Sequence, residues 1–370
     1  MDDVLLVTAD SVRLDYTEEL SWLASHDVLH GVTGAHYTRP SLASLLSSNY
    51  RSAIESRVVG PTIAEVLSDA GYTCLGYAPN PNTDPTFGFG DGFDEYETFV
   101  DPGNVGNSLR QYLSQFDPLR RLYYLLYSPQ AKSDNRPSDA EVVDQAIEAF
   151  NRASGPRFLW LHLMESHRPY GQGDDATPEE LDQKAYFSPE KLTDEERKQI
   201  DDAYRGALGR VDENVRRLYE GVNGEPTLLF TADHGESFGE TGFYYHRGHA
   251  RSVASEIVDV PVITDGIDFT GQHLSLYDIG PTLVESLGVD APDAWHGDDL
   301  RSDPSRFAIT IAPWHDTATI AWQDYERKIV ARDADVAYSD ADGVQSESER
   351  ADVDPALEQQ LRDLGYVDAG

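Results

Sequence analysis

The stretch Val4-Leu-Leu-Val-Thr-Ala-Asp10 decides the fold class of this chain. Its apolar and partly β-branched residues predict a buried parallel strand, because a strand covered on both faces needs apolar residues at successive positions. The run stops at Asp10, so the strand delivers a carboxylate at its carboxyl end. Open α/β sheets place their binding and catalytic sites at that end of the strands.

Two later runs repeat this arrangement. Arg157-Phe-Leu-Trp-Leu-His-Leu163 predicts a strand that ends before Glu165 and His167, and Pro226-Thr-Leu-Leu-Phe-Thr231 predicts one that ends before Asp233-His234. Amphipathic helices are predicted over 139–153 and in the segment that ends near residue 219. Polar groups therefore follow three predicted strands.

A helix start brings a hydroxyl to the same part of the fold. Thr38-Arg-Pro-Ser41 precedes Leu42-Ala-Ser-Leu-Leu46, and proline just inside a helical pattern places Thr38 or Arg39 at or before the helix N-terminus. Residues 61–71 predict another helix and 72–77 a strand, after which comes Asn80.

The pattern changes near residue 304. Short alternating segments over 307–311, 317–322 and 327–331 predict a small antiparallel sheet, and a helix is predicted over 355–364. We therefore expect a catalytic domain over 1–300, with helical insertions near 101–135 and 172–200, and a small C-terminal α+β subdomain over 301–370.

Charge limits the partners of the protein. The 370 residues contain 66 acidic and 29 basic side chains, a formal net charge of −37. Nucleic acid is excluded because its binding needs a basic face, and an anionic substrate must be held by a local metal ion or arginine. The acid-rich, lysine-poor composition is typical of halophilic archaea and predicts salt-dependent stability. An acidic protein of an ordinary cytosol is the alternative.

Cysteine content and the first residues bear on compartment. Cys74 is the single cysteine of the sequence, so an intramolecular disulfide and a cysteine-cluster metal site are excluded. The acidic start lacks a basic n-region, and no apolar run is long enough for a membrane span. We expect a cytoplasmic protein without a transmembrane segment.

The polar groups at the strand ends form a chemically coherent set. Carboxylates, imidazoles and the Thr38 hydroxyl are hard or borderline ligands that suit a divalent cation such as Zn²⁺ or Mn²⁺. Such an ion lowers the pKa of a hydroxyl and holds the oxygens of an attacked phosphoryl or sulfuryl group. Each fragment alone is weak evidence; the ordered combination predicts a metal-dependent site.

The motifs resemble the successive blocks of the sulfatase family in the alkaline phosphatase superfamily. The resemblance covers about residues 3–300 and implies a mostly parallel sheet flanked by helices with a metal site at the strand ends. It rests on Val7-Thr-Ala-Asp10-Ser-Val-Arg13, Thr38-Arg-Pro-Ser41, His162-Leu-Met-Glu-Ser-His167-Arg-Pro-Tyr170, Thr231-Ala-Asp233-His234-Gly-Glu-Ser-Phe-Gly-Glu240 and Ser275-Leu-Tyr-Asp-Ile-Gly-Pro-Thr282.

The resemblance also implies roles for single residues. Thr38 matches the nucleophile that touches the metal, and His167 matches a histidine that contacts the substrate or leaving group. His246 lies twelve residues after His234, a spacing similar to that in phosphoethanolamine transferases, where the histidine reaches substrate or a second metal. The implied ligands of one divalent ion (Zn, Mn or Ca) are Asp10, Thr38, Asp233 and His234.

Two departures narrow the expected reaction. Sulfatases proper convert Cys or Ser to formylglycine, whereas the extra methyl of Thr38 would leave a ketone. The threonine branch, which includes lipoteichoic acid synthases, handles phosphoesters, so we expect hydrolysis or transfer at a phosphate ester. Sulfatases often have paired aspartates where this chain has Asp10-Ser11, which favours one dedicated metal.

Several assignments stay open at this stage. Arg39, Asn80 and His162 are candidate substrate residues, although Arg39 could lie in solvent and His162 could be a core histidine. Accessory roles are also open for Glu165 as a metal ligand and for His249. Hydrolysis of a sulfate ester by unmodified threonine, and non-catalytic binding of a glycan or phosphorylated ligand, are alternatives. The substrate could be a small-molecule, glycan or lipid head-group ester. A phosphoglycerate-type mutase shares the superfamily, but residues 162–170 look less like that group.

Overall fold

The computed structural model of the protein describes residues 2–99, 137–171, 176–314, 317–324 and 327–335. The predicted helical insertion near 101–135 and the predicted helix over 355–364 lie outside the described residues. In the second predicted insertion the described part contains one whole helix, Glu179–Phe187, and the start of another at Asp194.

The central sheet contains eight strands in the order β4-β3-β5-β1-β6-β7-β2-β8. Neighbours are parallel except for β7, which is antiparallel to both β6 and β2. The predicted mostly parallel sheet is thus confirmed. The strands are β1 Val4–Ala9, β2 Asp27–Val32, β3 Thr73–Tyr77, β4 Glu95–Glu97, β5 Arg157–Leu163, β6 Thr227–Ala232, β7 Asp259–Asp265 and β8 His273–Ser275.

Helices flank this sheet, and local capping sets several of their starts. Ser138 and Glu141 form a capping box at the start of α4, and Thr193 and Glu196 form one at the start of α6, so backbone N–H groups at both N-termini are satisfied. The α-helices are α1 Thr38–Ser47, α2 Tyr50–Glu55, α3 Ile63–Asp69, α4 Asp139–Arg152, α5 Glu179–Phe187, α6 Asp194–Gly221, α7 Ser255–Val258 and α8 Ile279–Ser286.

A second, antiparallel sheet follows in the order β11-β10-β9, and it confirms the predicted C-terminal change of pattern. Its strands are β9 Ala308–Trp314, β10 Thr317–Gln323 and β11 Lys328–Asp335. Strand β9 is fixed to the segment before α1: Thr310 Oγ1 donates to Thr33 O at 2.8 Å, and Ile311 N donates to Gly34 O at 2.8 Å. The small sheet therefore lies against the approach to Thr38.

Strand β2 is absent from the sequence-based prediction. It has only six residues, and its burial changes from exposed at Asp27 to buried at Gly31 and Val32, which is neither a clean alternation nor a continuous apolar run. Its place in the sheet comes from long-range pairing with β7 and β8. Strands β4 and β8 are also absent from the prediction, because three residues are too few to show an alternating or a continuous apolar pattern.

The core lies on both faces of the central sheet. All six residues of β1 are buried, as are the large side chains Trp160 of β5 and Phe230 of β6. Cys74 of β3 is fully buried too, and burial, reinforced by the charge of Asp94, raises the pKa of its thiol to about 12. Among the described helices, none has the length and apolar content needed to cross a bilayer.

Candidate active site

The carboxyl ends of β1, β5 and β6 lie level with one another. Asp10 N donates to Leu163 O at 2.9 Å, and Asp233 N donates to Ala9 O at 3.1 Å. The residues that leave these three strands therefore converge at one edge of the sheet. Asp10, His162, Asp233 and His234 are fully buried there.

Thr38 begins α1 beside this cluster. Its Oγ1 lies 3.3 Å from Asp10 Oδ2 and 3.3 Å from His234 Nε2, and the side chain is fully buried. The start of α1 is fixed to β6 because Thr33 Oγ1 and Ser41 Oγ both donate to Asp233 O, at 2.6 and 2.5 Å. The fold thus holds a hydroxyl against a carboxylate and an imidazole.

Asp233 has one satisfied and one unsatisfied oxygen. Its Oδ1 accepts from Ser11 N at 3.0 Å and from His234 N at 2.8 Å. Its Oδ2 is buried, 3.4 Å from His234 Nε2, with no hydrogen-bond donor of good geometry among the described residues. Burial first, and then the charge of Asp10, raises the pKa of Asp233 well above its usual value. A cation is the partner that such an oxygen lacks.

The donor set fits a divalent ion. Ligand atoms of Asp10, His162 and Asp233 lie within 4.8 Å of one another, and so do those of Asp10, His167 and His246. Burial alone would raise the pKa of Asp10, but the neighbouring histidines, His167 and His234 foremost, lower it below its usual value. Oxygen and imidazole nitrogen around one carboxylate are the ligands expected for zinc or manganese.

His246 reaches the site from the loop after β6. Its ring centroid lies 4.3 Å from that of His234 and 5.7 Å from that of His167. Its Nδ1 lies 3.2 Å from Glu236 Oε1 and 3.3 Å from Ser11 Oγ. Burial, together with the charge of His234, lowers the pKa of His246 to about 3, so the ring is uncharged near neutral pH.

Ser11 and Glu236 are site residues that the sequence-based prediction did not single out. Ser11 Oγ donates to Asp10 Oδ1 at 2.5 Å and therefore bridges Asp10 to His246. Glu236 is fully buried, accepts from Tyr170 Oη at 2.7 Å, and has a pKa raised to about 7 by burial. Both lie inside the quoted motifs, where Ser11 directly follows Asp10 and Glu236 lies two residues after His234.

The three candidate substrate residues differ in their surroundings. The Arg39 guanidinium stacks 4.2 Å over the Phe87 ring, and its Nε is buried without a hydrogen-bond partner among the described residues. Asn80 caps a turn, because its Oδ1 accepts from Asn82 N at 2.9 Å, and its Nδ2 lies 3.2 Å from Met164 Sδ. His162 Nδ1 lies 2.9 Å from Thr8 Oγ1, and its Nε2 lies 3.9 Å from Asp10 Oδ2.

Two residues left open by the sequence have other contacts. Glu165 Oε1 accepts from Arg210 Nε at 2.5 Å, and Glu165, like the predicted ligand His234, belongs to neither ligand group. The His249 ring lies 6.1 Å from the Trp314 ring in an edge arrangement, which places His249 against the small sheet.

Comparison with known proteins identifies the family. The family model described as Sulfatase matches residues 4–283, about three quarters of the chain. The chain belongs to the sulfatase family. The expectation drawn from the motif blocks is confirmed, and this family's fold includes the mostly parallel sheet described above.

Solved structures of this fold superpose over most of the chain. The phosphonate monoester hydrolase SpPMH from Silicibacter pomeroyi has a TM-score of 0.63 and 18% identity, over 98% of this chain and 94% of its own. The phosphonate monoester hydrolase of Agrobacterium radiobacter has a TM-score of 0.62 and 18% identity, over 90% of this chain and 87% of its own. The C-terminal periplasmic domain of EcEptC from Escherichia coli, in complex with Zn, has a TM-score of 0.59 and 16% identity, over 88% of this chain and 92% of its own. At these identities the likeness shows the fold.

Curated relatives match over a shorter stretch. The 2,3-bisphosphoglycerate-independent phosphoglycerate mutases of Syntrophotalea carbinolica and Natronomonas pharaonis are 36% identical over 107 residues and 33% identical over 102 residues. Each match covers 27% of this chain and 20% of the relative, so the chain matches about one fifth of the length of these proteins.

Proposed function

We propose that the protein is a metal-dependent hydrolase or transferase of phosphate esters that uses Thr38 as its nucleophile. The observation that carries this proposal is the position of Thr38 Oγ1, 3.3 Å from both Asp10 Oδ2 and His234 Nε2, beside the unsatisfied Oδ2 of Asp233. The ion would be held by Asp10, Thr38, Asp233 and His234, with Zn²⁺, Mn²⁺ or Ca²⁺ as candidates. When bound, it lowers the pKa of a hydroxyl and offsets charge on phosphoryl oxygens.

The first half-reaction replaces one ester bond with another. Thr38 loses its hydroxyl proton to solvent, and Oγ1 attacks phosphorus while the bond from phosphorus to the leaving oxygen breaks. We assign proton donation to His167, whose proton passes to the leaving oxygen. The uncharged His246, whose ring lies against that of His167, orients the ester.

The second half-reaction restores the enzyme. Water, or an acceptor hydroxyl, attacks the phosphorus of phosphothreonine and gives its proton to His167. The bond from Thr38 Oγ1 to phosphorus breaks, and Thr38 Oγ1 takes back from solvent the proton that it lost in the first half-reaction. Arg39 directly follows the nucleophile, and its buried Nε has no hydrogen-bond partner among the described residues, so it is placed to hold phosphoryl oxygens. Asn80 and His162 are weaker candidates for substrate contact, because both side chains already have partners inside the protein.

Phosphate is favoured over sulfate by the nucleophile. Threonine cannot form the aldehyde hydrate of a formylglycine, because its Cβ carries a methyl group. A sulfate-ester hydrolase with unmodified threonine is the alternative reaction, and non-catalytic ligand binding is the alternative from another class.

We further propose a cytoplasmic protein of a salt-rich cell, because net charge −37 suits screening by molar salt.

The test compares nitrophenyl phosphate, bis(nitrophenyl) phosphate and nitrophenyl sulfate in molar KCl, with Mn²⁺, Zn²⁺, Ca²⁺ or chelator. We expect metal-dependent cleavage of a phosphate ester and its loss in Thr38→Ala. Thr282→Ala, which removes an equally buried threonine hydroxyl on α8, is the matched control and should keep its turnover. Faster sulfate cleavage would select the alternative reaction, and a Thr38→Ala variant with more than about a tenth of wild-type activity would remove Thr38 from the mechanism.

A further inference from the structure

The loop that carries His246 packs against the small C-terminal sheet. We define the His246 loop as residues 246–251, which include a 3-10 turn at Gly248–Ala250. Trp314 at the end of β9 lies against Gly248 and edge-on to His249. Arg251 Nη1 donates to Thr317 Oγ1 of β10 at 2.8 Å. The His246 loop is therefore attached to two strands of this sheet.

Gly248 gives the tryptophan ring room to lie close to the backbone. Its backbone is outside the left-handed region that favours glycine. A Cβ built at this position would lie 2.9 Å from the Trp314 ring, closer than real Cβ contacts. The absence of a side chain thus lets the ring sit directly on the backbone of the His246 loop.

His36 links the same loop to the nucleophile. It lies two residues before Thr38, is 1% exposed, and its Nε2 donates to Gly248 O at 2.7 Å. The preceding residues Thr33 and Gly34 accept hydrogen bonds from β9. Strand β9 therefore contacts the segment that leads to Thr38 and, through Trp314, the loop that carries His246.

We propose that Trp314 is a positioning residue, which fixes the His246 loop relative to Thr38 by packing on Gly248. The inference rests on the proposed function, because it concerns the geometry of the same reaction. It gives the small sheet a role in catalysis that acts through the His246 loop.

The first test is Trp314→Ala. The matched control is Trp322→Ala, since Trp322 is a half-buried tryptophan of the same sheet that stacks on Phe307 at 5.9 Å. A displaced catalytic group lowers kcat, so we expect kcat to fall about 10- to 100-fold in Trp314→Ala, with KM within about threefold of wild type. Equal losses in both variants would mean that Trp314 only stabilises the sheet, and would overturn the proposal.

The second test uses the contact itself. Gly248→Ala should displace the His246 loop in the wild-type background and should have little added effect once the ring is gone. We expect the double variant Gly248→Ala/Trp314→Ala to match Trp314→Ala alone within about twofold. If the loss of kcat in the double variant equals the product of the losses in the two single variants, the two substitutions act independently. That result would contradict direct coupling between Trp314 and Gly248.

A third measurement does not need turnover. Hydrogen exchange of peptides covering the His246 loop should be faster by about tenfold in Trp314→Ala than in Trp322→Ala, because removal of the ring frees that loop locally. Unchanged exchange overturns the positioning role even if the enzyme cleaves phosphate esters. If exchange is faster in Trp314→Ala but the wild type cleaves none of the test esters, the proposed reaction is overturned while the structural coupling stands.

Discussion

Asp233 and Asp278 are both buried carboxylates, and they differ in how their oxygens are satisfied. Asp278, at the start of α8, accepts from Ser275 N at 3.0 Å, from Asp298 N at 2.9 Å and from Ser305 Oγ at 2.9 Å. Asp233, at the end of β6, has an Oδ2 without a well-placed donor among the described residues.

The difference separates two uses of a buried acid. The chain itself supplies every partner that Asp278 needs, so its carboxylate joins the turn before α8 to the segment that contains Asp298. Among the described residues, Asp233 Oδ2 has no well-placed donor, and its surroundings favour a cation. A carboxylate that the fold leaves incomplete is therefore a better marker of the site than burial alone.

The largest expected effect comes from exchanging each acid for its amide. Asp233→Asn removes a proposed metal ligand, so we expect kcat/KM to fall at least about 1000-fold with little loss of stability. Asp278→Asn places amide hydrogens against N–H donors, so we expect a stability loss of about 2–4 kcal/mol with kcat within about twofold. Steady-state kinetics and urea unfolding of both variants test the contrast, and it fails if the two acids lose the same property.

The pH dependence of stability sharpens the comparison at Asp278. Burial raises its pKa from 3.8 to about 6, although the three donors act in the opposite direction. The folded protein binds this proton more tightly than the unfolded chain, so the contribution is complete below pH 3.8 and is lost as the pH rises through about 6. Across this pH window we expect the free energy of unfolding of the wild type to fall by up to about 3 kcal/mol relative to that of Asp278→Asn. Parallel pH profiles of unfolding would contradict this assignment.

Metal removal probes the other side of the comparison. Binding to the folded state alone adds about 2.7 kcal/mol when the free ion is at 100 times its Kd. We expect chelator to lower the melting temperature of the wild type and of Asp278→Asn, and to leave that of Asp233→Asn unchanged. Calorimetry with and without Mn²⁺ or Zn²⁺ gives the result. An equal chelator effect in Asp233→Asn would remove Asp233 from the ligand set.

The smallest effect is expected at a single donor to Asp278. Ser305→Ala removes the hydrogen bond from Ser305 Oγ to Asp278 Oδ2 and leaves the two backbone donors in place. We expect a stability loss of about 1 kcal/mol and unchanged turnover. Denaturant titration beside an activity assay measures both. A loss as large as that of Asp278→Asn would mean that the serine dominates the cluster.

The central strands could be predicted because their local pattern agrees with their place in the fold. Strands β1, β5 and β6 are apolar runs that end in polar groups, and the structure places them side by side. Strand β2 carries no such pattern, because its pairing with β7 depends on residues more than two hundred positions away. Local periodicity cannot report a contact of that kind.

The site was predictable where residue type and strand end coincide. The three predicted site residues Asp10, Thr38 and His234 lie together, with Thr38 Oγ1 3.3 Å from the other two side chains. His36 was not predictable, because its partner Gly248 lies on a distant loop and no motif joins them. Glu236 was not predictable either. It follows the two stronger ligand candidates Asp233 and His234, and sequence spacing does not reveal its contact with His246.

The buried Cys74 makes the protein suitable for chemical labelling. A thiolate is the form that reacts with electrophiles, and a buried thiol with a pKa of about 12 stays protonated and shielded near neutral pH. The native enzyme should therefore tolerate air and maleimide reagents. A Thr38→Cys variant would place a second thiol beside Asp10 and His234, at a position as buried as Cys74, so its alkylation would show that a reagent can reach the nucleophile position. Its stoichiometric alkylation would count active sites directly, and protection by inorganic phosphate would report occupancy of the site without any turnover.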